Sequence, residues 1–197
     1  MGDSSMRVDP ATFRQLNLRC HALLADVPLH DVWAIPLDDG GPGRTMDDVR
    51  TLMLSDRRPR TNVAVRTLFA LRWWLGRVFG WDQEQCDPQG ESYVHRLTEA
   101  DRAQSHIPAG TRDGRFRVLY VFHDEALSEI RNSTVHGFLA SALIRRERGY
   151  LLYVGVYVKD VSRFTAFYMA LIDPFRRFVV YPGIVRTVQQ GWQRTYS

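Results

Sequence analysis

The spacing of apolar residues changes along the chain, and each change predicts an element. From residue 116 the period is two. FRVLYVF (116–122), EALSEIR (125–131), TVHGFLASALIRR (134–146) and YLLYVGVYVK (150–159) each read as a strand, since β-branched and aromatic residues suit a pleated backbone. The connections, His123-Asp124, Asn132-Ser133 and Glu147 to Gly149, are short, which predicts antiparallel neighbours. VPLHDVWAIPL (27–37) is a further strand with Val32 and Trp33 in its middle, and Pro28 and Pro36 mark an edge or its ends.

The helical period of about 100° per residue appears in two long stretches. Thr61 or Asn62 caps a helix running to about residue 79, with Val65, Leu68, Leu71, Leu75, Val78 and Phe79 on one side and Arg66, Ala70 and Arg77 opposite. Ser162 caps a second, where Phe164, Phe167, Tyr168, Leu171, Ile172, Phe175, Phe178 and Val179 share one arc. That arc keeps its phase through Pro174 and predicts a long kinked helix, broken at Pro182-Gly183 and followed by a short helix to about Arg194. The alternative is a restart with Asp173 as cap and Pro174 in the first turn. Thr45 caps a shorter helix over 46–54, and 55–60 is a polar basic loop. Residues 1–26 are a polar lead-in, helical from Pro10 to Leu24. Residues 86–114, rich in Pro and Gly, are a long loop with one strand around 93–97.

Strands and helices are segregated, so the expected class is α+β: a curved antiparallel sheet with one face covered by the final helix. The 197 residues suit a single domain over 27–197 behind the lead-in. With 45% hydrophobic and 24% charged residues, disorder, collagen and disulfide-scaffold classes are excluded. Cys20 and Cys86 have no CxxC or metal-ligand spacing and read as free thiols in a reducing, cytoplasmic setting. No apolar leader precedes the first helix, and arginines interrupt the apolar stretches 63–81 and 164–181, so no transmembrane segment is expected.

The element order resembles the helix-grip superfamily of START, Bet v 1 and polyketide-cyclase-like (SRPBCC) proteins, which wrap a curved sheet around a long C-terminal helix. More closely, NSTVHGFLA (132–140), YLLYVGVYVK (150–159), FYMALIDPFRRFVVYP (167–182) and the opening DVPLHDVWAIPL (26–37) resemble a bacterial family known as domain of unknown function 2867. Its members occur alone or fused behind nucleotide-binding reductase-like domains. These motifs are apolar, so the resemblance implies a fold with a cavity and not a reaction.

Chemical motifs are sparse. Gly40-Gly41-Pro42-Gly43 lacks the GxGxxG spacing, no GxSxG or HExxH occurs, and no histidine pair has metal-ligand spacing. Neither a metal nor an organic cofactor is therefore expected. One polar group stands out: Glu125, Glu129, Asn132 and His136. Glu125, Leu127 and Glu129 share a strand face, and His136 on the next strand is placed to meet Glu129 across the pair. A carboxylate beside an imidazole suits proton transfer or a polar ligand end; a surface charge pair is the plainer alternative. On 150–159, Tyr153, Gly155, Tyr157 and Lys159 form one face, a ligand wall or the wet side of the sheet, and Leu152, Val154, Val156 and Val158 form the other.

The expected function is binding of a small apolar or amphipathic molecule in a cavity between sheet and C-terminal helix. Arg72, Trp73, Tyr120, Glu129, His136, Tyr153, Tyr157 and Tyr168 are its candidate ligand-binding residues. A cyclase or hydratase using Glu129 and His136 as acid and base is the alternative. A third reading is a membrane-surface or protein-contact module using the basic aromatic helix 62–81, with Trp73, Trp74, Trp81, Arg66, Arg72 and Arg77. Net charge changes this picture in one respect. All but one of the 26 basic residues are arginine, Lys159 being the only lysine, a skew that genome composition explains. Residues 131–197, however, hold 10 basic and 3 acidic residues, where the rest of the chain is slightly acidic. That favours an anionic ligand head or an acidic partner over nucleic acid, for which no recognition motif is present.

Overall fold

The computed structural model describes residues 6–55, 91–114, 116–131, 135–160 and 181–196. The helices expected over 61–79 and from 162, with Arg72, Trp73 and Tyr168, lie outside the described residues.

The described elements run in the order β1 (Met6–Arg7), α1 (Pro10–Arg14), α2 (Arg19–Leu23), β2 (Leu29–Leu37), α3 (Met46–Ser55), a 3-10 turn (Tyr93–Arg96), α4 (Glu99–Gln104), β3 (Arg112–Asp113), β4 (Phe116–Val121), β5 (Glu125–Arg131), β6 (Val135–Arg145), β7 (Tyr150–Asp160) and α5 (Tyr181–Tyr196). The class is α+β. Among the described residues, seven strands form one antiparallel sheet in the order β1-β2-β7-β6-β5-β4-β3. The four strands expected from the period-two pattern form the meander β4 to β7. Its longest members, β6 and β7, stand next to one another, with β2 and β5 on their outer sides.

Two local expectations are corrected. The stretch 93–97 is a 3-10 turn and not a strand. Directly after it α4 interrupts the expected loop. Its start is a capping box: Thr98 Oγ1 accepts from Asp101 N at 3.1 Å, and Asp101 accepts from Thr98 N at 2.9 Å. The signal was TEAD at 98–101, masked by the surrounding prolines and glycines. At the C-terminus, Pro182 and Gly183 do not break a helix: the described part of α5, Tyr181–Tyr196, runs through both.

Both faces of the sheet are covered, where the sequence pattern promised cover for one. On the first face α1 and α2, with Leu24 and Val27, and the 93–97 turn pack on Val32, Tyr120, Phe122, Leu127, Phe138, Ala140 and Tyr157. Phe13 of α1 is fully buried and fits over Gly155, where a Cβ would stand 2.8 Å from its ring. On the second face α3 and α5 pack on Ile35, Leu37, Val118, Val121, Ala126, Leu143, Leu152 and Val154. Val185, Val188 and Trp192 form the buried stripe of α5 at helical spacing. Trp192 donates from Nε1 to Asp38 O at 3.0 Å and lies against Gly40, whose φ of +92° and lack of Cβ permit that approach.

Candidate functional site

The first face carries two buried carboxylates on β5, and each is held by backbone from another layer. Glu125 accepts from the N–H groups of Arg19 and Cys20, both at 2.8 Å, and from Tyr120 OH at 2.5 Å. No side chain of the adjoining residue Leu18 caps α2, so a carboxylate from the sheet supplies the missing acceptors at its first turn. Burial first, then the nearby Glu125 charge, pushes the Tyr120 phenol and the Cys20 thiol up from their ordinary values. Cys20 is thus an unreactive core thiol, as a protonated sulfur is a poor nucleophile.

Glu129, two residues on, points to the same face. It is 1% exposed, and His136 on β6 is 5% exposed. His136 Nε2 lies 3.1 Å from Glu129 Oε2. The register pairs Glu129 with Phe138 and Arg131 with His136, so the two meet diagonally. Glu129 also accepts from Ser92 Oγ and, at 3.2 Å, from Tyr93 N. Burial alone would raise its pKa, but the bonds from His136, Ser92 and the Tyr93 N–H together bring it below the ordinary carboxylate value.

Tyr93 roofs the pair. Its ring meets the His136 ring edge-on at 5.2 Å and Phe138 at 4.6 Å. Lys159 Nζ donates to its hydroxyl at 3.2 Å, and the hydroxyl donates to Asp26 at 3.1 Å. Arg96 stacks its guanidinium 3.7 Å from the ring centre and pairs with Asp26, holding that carboxyl well below the usual range. The result is a dense polar cluster: an acid–base pair within hydrogen-bond reach, closed over by a tyrosine clamped from two sides.

Of the expected ligand-binding residues, Tyr120, Glu129, His136, Tyr153 and Tyr157 are described, and all five are on this first face. The face is not wet: Tyr157 OH is 3.0 Å from His21 Nδ1 and Tyr153 packs 6.0 Å from the Phe13 ring. The described part of the C-terminal helix is on the other face. The structure therefore joins Glu129 to His136 as the strand pattern expected, but does not put these five side chains between the sheet and α5.

The second face has a different character. Antiparallel register sets Asp31, Val156, Leu139 and Ser128 in one row across β2, β7, β6 and β5. Leu139 and Val156, on the two longest strands, are only partly buried. Asp31 in the same row is 1% exposed. Sequence reasoning passed over Asp31; its signal was a carboxylate sharing the alternation of Trp33, Ile35 and Leu37, all apolar.

Residues 23–183 match a protein family described as "Protein of unknown function (DUF2867)". The chain belongs to the DUF2867 family. The match runs from the end of α2 into α5, so Glu125, Glu129, His136 and Asp31 all fall inside the DUF2867 region, whereas Phe13 and Cys20 precede it. No curated protein matches the chain, and no solved structure does. Among the described residues no helix is long and apolar enough to cross a membrane, and no group of three His, Cys, Asp or Glu side chains is gathered to hold a metal ion.

Proposed function

We propose that this protein binds a small apolar or amphipathic molecule on the second face of its sheet, the one that carries α3 and α5. One observation carries the reading. Leu139 and Val156 stand on the paired strands β6 and β7, beside buried Asp31, Val154 and Val158, yet are themselves partly open. In a sheet covered on both faces, partly open apolar side chains at that position are what the wall of a ligand site requires. The first face is less suited, since its tyrosines are already packed under Phe13 and α2. The helix-grip arrangement belongs to the same proposal, and the meander, with α3 and α5 on one face, supports it. The reading fits a cytoplasmic protein with a free, buried Cys20. Native mass spectrometry of the purified chain tests it. A retained small molecule, lost in Leu139→Trp and Val156→Trp variants that still fold, is the expected result. A retained molecule unaffected by either substitution would place binding elsewhere.

A second reading, a cyclase- or hydratase-type enzyme, draws on the 3.1 Å separation of His136 and Glu129, which is within proton-transfer reach. It predicts that the retained molecule is chemically altered on incubation with the wild type and not with His136→Ala. Equal recovery of unaltered molecule from both would refute it.

A further inference from the structure

We propose that Asp31 is the polar anchor of the ligand site on the face that carries α3 and α5, and that it selects an amphipathic molecule with a hydrogen-bond-donating head, an alcohol or an amine, over one ending in a carboxylate or ester. This rests on the binding reading above and adds the chemistry of the ligand.

Asp31 follows a register irregularity between Leu29 and Asp31 and turns into the face shared with Val156 and Leu139. Its carboxylate is 1% exposed. Oδ1 accepts from Arg7 Nε on the edge strand β1 at 3.0 Å. Oδ2 meets no donor among the described residues. A buried carboxylate oxygen without a donor is costly and rare in folded proteins. The site is thus half satisfied: Arg7, whose side chain is half exposed, offsets the charge through Oδ1, and Oδ2 is left for a second donor.

The neighbours define what brings that donor. Val156 stands opposite Asp31 on β7, and Leu139 stands beyond it on β6. A molecule lying along this row puts an apolar body on Leu139 and Val156 and its head at Oδ2. Because Arg7 already pairs with the carboxylate, a neutral hydroxyl suffices, and an ammonium adds charge attraction. An ester has no donor to give. A carboxylate head would set two anions side by side, which reverses the anionic head expected from the basic last third of the chain. Of those basic residues Arg145, Arg146 and Arg148 sit at the β6–β7 hairpin, and Lys159 is on the first face. A buried water bonded to Oδ2 is the rival explanation.

Displacement of the neutral dye N-phenyl-1-naphthylamine from the full chain distinguishes them, using four ten-carbon competitors: 1-decanol, decylamine, methyl decanoate and decanoate. The alcohol and amine are expected to displace the dye at concentrations about tenfold or more below the ester and the acid, the scale of one hydrogen bond to a charged group. Asp31→Leu is expected to abolish that order while still binding dye. Should Asp31→Leu not fold, Asp31→Asn serves: its amide donates as well as accepts, so ester and acid are expected to close the gap to the alcohol and the extra gain of the amine is expected to be lost. Equal displacement by all four, or preference for the ester, with the wild type would overturn the Asp31 proposal and leave the binding reading standing. Failure of the wild type to bind dye or any competitor would overturn both.

Discussion

Removing the Glu129 carboxylate tests whether the polar cluster is built around that group. Three donors converge on it: Ser92 Oγ, Tyr93 N and His136 Nε2. In Glu129→Ala all three lose their acceptor inside the protein. Each buried donor left unpaired costs roughly 1–3 kcal/mol, but the Ser92 hydroxyl can rotate away and the costs do not add fully, so about 2–4 kcal/mol is expected. That is a large part of a typical stability of about 5–15 kcal/mol. Glu129→Gln keeps one acceptor and is expected to lose about 1–2 kcal/mol. The pH dependence gives the sharper test. Although burial opposes ionisation, the bonds to Glu129 prevail and its folded pKa lies below the ordinary value. The group's contribution is therefore full above the unfolded-state pKa of about 4.3 and is lost as pH falls through the folded value. Urea unfolding followed by tryptophan fluorescence at pH 7, 5.5, 4.5 and 3.5 measures it. The gap between wild type and Glu129→Gln should stay constant from pH 7 to 5.5 and narrow below about 4.5. A gap that widens on acidification would mean that burial outweighs the three bonds. An alanine variant within about 0.5 kcal/mol of wild type would mean that the cluster does not depend on the carboxylate.

The other tests address the covering layers. Phe13→Ala should cost about 3–5 kcal/mol, and Gly155→Ala, which brings a Cβ to 2.8 Å of the Phe13 ring, should destabilise wild type by about 1–3 kcal/mol but be tolerated in Phe13→Ala; additive effects in a double-mutant cycle would disprove the contact. Gly149→Ala should cost about 2 kcal/mol or more, because φ is +78° and a Cβ would stand 2.1 Å from Leu37 O; an unchanged urea midpoint would contradict this geometry. In a Cys86→Ser background, Cys20 should resist iodoacetamide in the native state and react once unfolded, since it is fully buried and its thiol is pushed up; rapid native labelling would count against the packing of α2. Thr98→Ala should cost about 1 kcal/mol through loss of the cap of α4, read from the same urea curves; no loss would mean that α4 does not need its box.

The meander was legible because period-two alternation with short turns leaves one pairing in which every apolar face stays buried. The Glu129–His136 contact followed from the same rule, as strand position decides face and neighbour. What alternation does not carry is which of two faces a given layer covers. Both faces of β7 are apolar enough to bury: Leu152 and Val154 on one, Tyr157 and the Gly155 gap on the other. The choice was made by residues far from the sheet in sequence. Phe13 fills the space over Gly155, and Glu125 accepts the first N–H groups of α2. A five-residue helix such as α2 has little stability of its own, so no local signal marks it as a layer. Its fit becomes visible only when a carboxylate about a hundred residues away is seen to complete it. The first face has its carboxylates met by donors of the chain, three for Glu125 and three for Glu129. On the second face Asp31 has one donor, for Oδ1, and its Oδ2 has none, in the same cross-strand row as the partly open Val156 and Leu139. Satisfied groups hold a fold together, while a buried group with one bond still to make is where a ligand gains most by arriving.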